Sequence, residues 1–173
     1  MTIEPDTKDW TWVLSRPCPD CGYDASATAA ERLPDLLRAN AAALAAVMAR
    51  PGARTRPAEH VWSPLEYACH VRDVHRVFDG RVRLMLTTDD PAFESWDQDA
   101  TAVAERYDLA DPADVAGELT EAAEIVAGTY AGVVGAQWSR VGRRSDGAVF
   151  TVESLGRYHL HDAVHHLWDV AGR

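Results

Sequence analysis

The sequence predicts an all-α fold, a four-helix bundle, on three observations. Four segments repeat apolar residues at helical spacing, capping signals open at least two of them, and strand patterning is confined to one short hairpin. The first segment covers residues 25 to 49. Asp24 or Ser26 is its candidate N-cap, Pro51-Gly52 is its stop, and Pro34 either kinks it or marks its true first turn. The second begins at Ser63-Pro64-Leu65-Glu66, where a capping box coincides with proline at the first helical position, and runs to residue 86. Asp111-Pro112 opens the third, which runs to residue 134. There Val115, Leu119, Ala122, Val126, Tyr130 and Val133 share one face, and Asp114, Glu118, Glu121 and Glu124 lie on the other. The fourth covers residues 152 to 171. Residues 87 to 108 read as a long polar crossover, and residues 138 to 141 and 148 to 151 as a short hairpin before the last helix at most.

Composition narrows the function classes. With 17 basic and 27 acidic residues in 173, the chain carries a formal charge of −10 and no basic stripe, which excludes nucleic acid as the main partner. No run of 18 apolar residues exists, so no membrane span is expected. The acidic start, Met1 to Asp6, has no apolar stretch of the signal-peptide kind, and a soluble, cytoplasmic protein is the expectation. The 29 alanines, 16 arginines and single lysine reflect a GC-rich coding bias rather than chemistry. An Ala-rich bundle is compatible with a homodimer, although no residue argues for one.

Seven histidines carry the chemistry: His60, His70, His75, His159, His161, His165 and His166. His161 and His165 are one turn apart on the last helix, about 6 Å in rise, so both imidazoles can reach one ion. His159 and His166 are about 10.5 Å apart in rise, too far to share one. They lie beside Asp162 and Asp169 on a polar arc and read as a solvated face. On the second helix His70 falls inside the apolar arc with Tyr67, Val74, Val77, Phe78 and Met85, and a buried imidazole needs a partner. His70, His161 and His165 are therefore the expected ligands of one divalent metal ion.

Trp62-Ser63-Pro64 at a helix start, His70-Val71-Arg72-Asp73 within it, and His161-Asp162-Ala163-Val164-His165 on the last helix together resemble the DinB/YfiT-like superfamily. The resemblance covers residues 25 to 171. It implies a four-helix bundle whose divalent metal is held by one histidine of the second helix and two of the last, here His70, His161 and His165. It also implies a metal-dependent thiol S-transferase that activates a low-molecular-weight thiol, with mycothiol the choice suited to a GC-rich bacterial sequence, for attack on a small electrophile. Two alternatives stand beside it: a non-enzymatic, metal-binding stress-response bundle and a metal-dependent hydrolase. Imidazole ligands suit zinc first, and nickel, iron or copper as well. Asp73 is a candidate acceptor for an imidazole N–H, or else a surface charge. Arg81, on the same arc as His70, either pairs with a buried carboxylate or binds a substrate carboxylate, while Tyr158 and Trp168 flank the histidine pair as candidate pocket walls or core.

Residues 1 to 24 form an extension before the bundle domain of residues 25 to 173. It contains Cys18-Pro19-Asp20-Cys21-Gly22, half of a zinc knuckle. A redox-active dithiol, a knuckle completed by histidines or a second subunit, and a simple turn all fit it. Cys69 lies 100° from His70 on its helix and is not expected to share an ion with it. One metal per chain, bound by histidines alone, is the expectation.

Overall fold

The structure is a computed structural model that describes Ile3 and residues 8 to 171. Met1, Thr2, Glu4, Pro5 and Asp6, which bear on a leader, lie outside the described residues. The bundle helices are α1 (Leu33–Met48), α2 (Pro64–Thr87), α4 (Pro112–Ala131) and α5 (Val152–Ala171), with a short α3 (Gln98–Ala104) in the connection between α2 and α4. Both α4 and α5 pack against both α1 and α2, so the sequence-adjacent pairs α1/α2 and α4/α5 sit diagonally across the bundle. The connections that join these diagonal pairs, residues 49 to 63 between α1 and α2 and residues 132 to 151 between α4 and α5, are long enough to permit this arrangement, because a tight turn would force neighbours in sequence to be neighbours in space.

The capping signals act where they were expected. Ser63 Oγ accepts from the Glu66 amide and the Glu66 carboxylate accepts from the Ser63 amide at 2.8 Å, closing the box at the start of α2. Asp111 accepts from the Ala113 and Asp114 amides at the start of α4. In the first segment Pro34 marks the true first turn: α1 begins at Leu33 rather than at residue 25. Asp24 instead closes a local turn by accepting from the Ser26 amide at 2.9 Å.

The apolar stripe of α4 is buried as its periodicity requires, with Val115, Leu119, Val126 and Tyr130 each at most 2% exposed. Gly156 lets α5 approach closely: a methyl group there would lie 2.5 Å from Leu33 Cδ1 and 3.0 Å from the Tyr130 ring.

The strand content exceeds the expected hairpin. Strands β2 (Val141–Arg144) and β3 (Val149–Thr151) pair antiparallel, and β1 (Ala92–Phe93) from the crossover joins β2 in parallel to make a three-stranded sheet. The Arg143 amide donates to Pro91 O and the Ser145 amide to Phe93 O, so the connection is tied to the hairpin through its backbone. A two-residue strand carries no alternating pattern, which is why periodicity missed it.

The N-terminal segment is packed on the bundle. Val13 and Cys18 are essentially inaccessible, and Tyr23 joins the core beside Leu33, Leu37 and Leu160. Among the described residues no helix is long and apolar enough to cross a membrane.

Candidate metal centre

Between His161 and Asp169, side chains of α5 meet α2 on one side and the N-terminal segment on the other. The structure does not bring His70, His161 and His165 into one group. It divides them between two sets of metal-ligating atoms, each set lying within 4.8 Å: His70, Asp162 and His166; and Cys18, Cys21, His161 and His165.

In the first set, His70 Nε2 lies 3.3 Å from Asp162 Oδ1, and His166 Nε2 lies 3.7 Å from the same oxygen. Two N/O ligands at 2.0–2.2 Å from a common ion are roughly 3.0–3.5 Å apart in octahedral or tetrahedral geometry, so the His70–Asp162 spacing suits a shared ion. The other nitrogen of His166, Nδ1, meets Asp169 Oδ2 at 3.1 Å. That is the carboxylate contact by which metal-binding imidazoles are usually oriented. His70 is fully buried, and its Nδ1 has no hydrogen-bond partner. Burial pushes the His70 pKa down, with Asp162 opposing it, so the ring is held in the neutral form that ligates metal. Burial raises the Asp162 carboxyl, but His70 and His166 beside it bring it well below the usual carboxylate range. Two imidazoles and one carboxylate fit a divalent ion and leave coordination positions open.

The set borders a cavity of about 890 Å³. Trp96, from the crossover, stacks on His70 with ring centroids 5.4 Å apart and planes at 12°, and Trp62 packs on it at 5.3 Å. Arg81, Tyr158 and Trp168 all line the cavity. Among the described residues Arg81 has no carboxylate partner; it donates to Glu94 O at 2.8 Å and lies over the Phe78 and Phe93 rings. Burial pulls its pKa down to about 10, with Arg144 adding to the shift.

Three expectations require correction. Asp73 does not orient His70: its oxygens accept from Arg72, Arg76 and the Tyr107 hydroxyl, the last at 2.5 Å, in a network extending to Glu118. His159 is not on a solvated face. It is fully buried, with Nε2 at 2.8 Å from His75 Nδ1 and Nδ1 at 3.4 Å from the Tyr130 hydroxyl. His166 is no solvated residue either, since it belongs to the set around His70.

Asp162 and His166 share the one-turn spacing of His161 and His165. A wheel gives the angles between residues of one helix but not that helix's absolute rotation against its neighbour, and a carboxylate ligand was passed over for a second histidine. The signal was available in the sequence: Asp162-x-x-x-His166 has ligand spacing, and Cys18 with Cys21 needs two further ligands.

The bundle is shared with known proteins. YfiT from Bacillus subtilis, described as a probable metal-dependent hydrolase with an unusual four-helix bundle topology, superimposes with a TM-score of 0.73. The two are 22% identical over 83% of this chain and 84% of that one. No curated protein matches the sequence. The sequence matches the DinB superfamily over residues 33 to 170, from the start of α1 almost to the end of α5, and the chain belongs to that superfamily.

Proposed function

We propose that the protein is a metal-dependent transferase that activates a low-molecular-weight thiol for attack on a small electrophile. The observation that carries the reading is the meeting of His70, Asp162 and His166 at the edge of a cavity large enough for both reactants. His70, Asp162 and His166 would hold a divalent ion, zinc first by donor chemistry and iron(II) next, whose open position and positive charge would favour the thiolate form of a bound thiol at neutral pH.

The chain's own residues do the rest. Asp169 fixes the His166 ring, Trp62 and Trp96 enclose His70 and keep water from its buried side, and Arg81 presents its guanidinium to the cavity. The lining contains seven aspartates against three lysines and arginines. Carboxylates accept hydrogen bonds from hydroxyl groups and repel anions, so these walls favour a sugar-bearing thiol such as mycothiol over thiols that carry several carboxylates.

The description of YfiT favours a second reading, hydrolysis, in which the same ion would activate water. One assay separates them. Zinc-loaded protein, mycothiol and monochlorobimane should give conjugation that is abolished by chelation and by His70→Ala. Ester or amide cleavage without thiol, and no conjugation with mycothiol, glutathione or bacillithiol, would replace the transferase reading with the hydrolase one.

A further inference from the structure

From the second ligand set we infer that the protein holds a second, four-coordinate zinc ion between Cys18, Cys21, His161 and His165. Two thiolates and two imidazoles are a complete tetrahedral zinc complement, with no position left for substrate.

The backbone prepares both halves. The Gly22 amide donates to Cys18 O at 3.0 Å and the Cys18 amide to Tyr23 O at 2.8 Å, folding Cys18 to Tyr23 into a tight turn. Gly22 sits at φ +73°, where glycine is unstrained, and the turn brings both sulfurs to one side. His161 and His165 are one turn apart on α5, with ring centroids 5.3 Å apart. The four ligand atoms all lie within 4.8 Å of one another. Cys18 Sγ is 3.7 Å from His165 Nδ1. A tetrahedral ion at about 2.3 Å from sulfur and 2.0–2.1 Å from nitrogen sets these atoms roughly 3.6 Å apart.

Two independent features point the same way. His161 is 3% exposed, and its Nε2 is a buried nitrogen with no hydrogen-bond partner among the described residues. All three cysteines are free thiols, and Cys69, deep in the core, takes no part in either set. Aromatic rings close the surroundings: Trp10 packs on both histidines at 5.6 and 5.0 Å, Tyr23 on His161 and Trp168 on His165. Because Trp10 also lines the cavity, the second ion fastens the segment that forms part of the cavity wall to α5.

Metal analysis of the full chain, purified without chelator and loaded with zinc, should give two ions per chain. X-ray absorption at the zinc edge should show sulfur at about 2.3 Å, averaging one sulfur per zinc. In cobalt(II)-loaded protein a thiolate-to-metal charge-transfer band should appear. Cys18→Ala and Cys21→Ala should each abolish the band and reduce the count to one, while His70→Ala reduces the count to one and leaves the band. A wild-type zinc shell containing no sulfur would overturn the inference without any variant having to fold, whereas a single ion per chain with two sulfurs around it would keep this site and remove the ion of the His70 set. A Cys18–Cys21 disulfide that forms on mild oxidation with both ions retained would also overturn it.

Discussion

Asp162 and His166 turn toward α2, whereas His161 and His165, one residue earlier in each turn of the same helix, turn toward the N-terminal segment. The first pair gains one further ligand, His70, and borders a cavity. The second gains two cysteines, and although it lines the same cavity, the rings of Trp10, Tyr23 and Trp168 pack on its imidazoles. Both pairs have the same helical spacing, so spacing does not decide what kind of site forms. The number of ligands that the facing element supplies decides it: three leave room for chemistry, and four close the shell. A further pair, the imidazoles of His75 on α2 and His159 on α5, completes the contrast. It has no carboxylate in direct hydrogen bond, is wholly buried, and the rings hydrogen-bond to each other.

The comparison can be broken most decisively at the open set. His70→Ala should remove that ion and reduce thiol conjugation to background, with the cobalt–thiolate band of the closed set intact. Loss of both ions would mean that the two sets are one cooperative site. Asp169→Asn should be milder. By loosening the His166 ring it should weaken metal binding by about 10- to 100-fold, read by competition with a chelating dye. An unchanged affinity would show that Asp169 does not orient the ligand.

The buried pair gives a smaller, pH-dependent effect. Burial holds His75 down at about 4 and His159 well below its ordinary value of 6.5. Below pH 6.5 the unfolded chain takes up protons that the folded chain refuses. Stability present above 6.5 is therefore lost as pH falls toward 4, by up to about 1.4 kcal/mol per ring for each pH unit. Histidine NMR resonances of the folded protein should show both rings still neutral at pH 5, and a titration of either near 6.5 would contradict the burial argument. The smallest effect on metal is expected at Asp73→Asn. Metal affinity should stay within twofold, while urea unfolding shows a loss of about 1–3 kcal/mol from the disrupted contacts to Arg72, Arg76 and Tyr107. A tenfold fall in affinity would restore Asp73 to the metal centre.

The fold was legible in the sequence because its signals are local. Ser63 with Glu66, and Asp111 with Pro112, set helix starts through contacts spanning three residues or fewer, and the stripe on α4 repeats five times. The strand Ala92–Phe93 was invisible because its partner is about fifty residues away and it is too short to alternate. At the site, His70 was legible as a buried imidazole, but its partners were not, because they depend on how α5 is rotated against α2. Asp73 looked like a neighbour of His70 in sequence, while Tyr107 and Arg76 claim it in space. Arg81 illustrates the converse: among the described residues one of its two candidate roles, a buried ion pair, is absent, since the carbonyl of Glu94 and two aromatic rings surround it.

Trp62 and Trp96 flank His70 at 5.3 and 5.4 Å, one from the start of α2 and the other from the crossover. Indole emission is quenched at such range by open-shell ions such as copper(II) or cobalt(II) and far less by zinc, whose d shell is full. An ion held by His70 would therefore have a built-in optical gauge. Its occupancy can be followed by intrinsic fluorescence, and exchange of one ion for another can be timed without a label. Because Trp96 belongs to the segment tied down by the small sheet, the same signal would also register that segment lifting away from the ion.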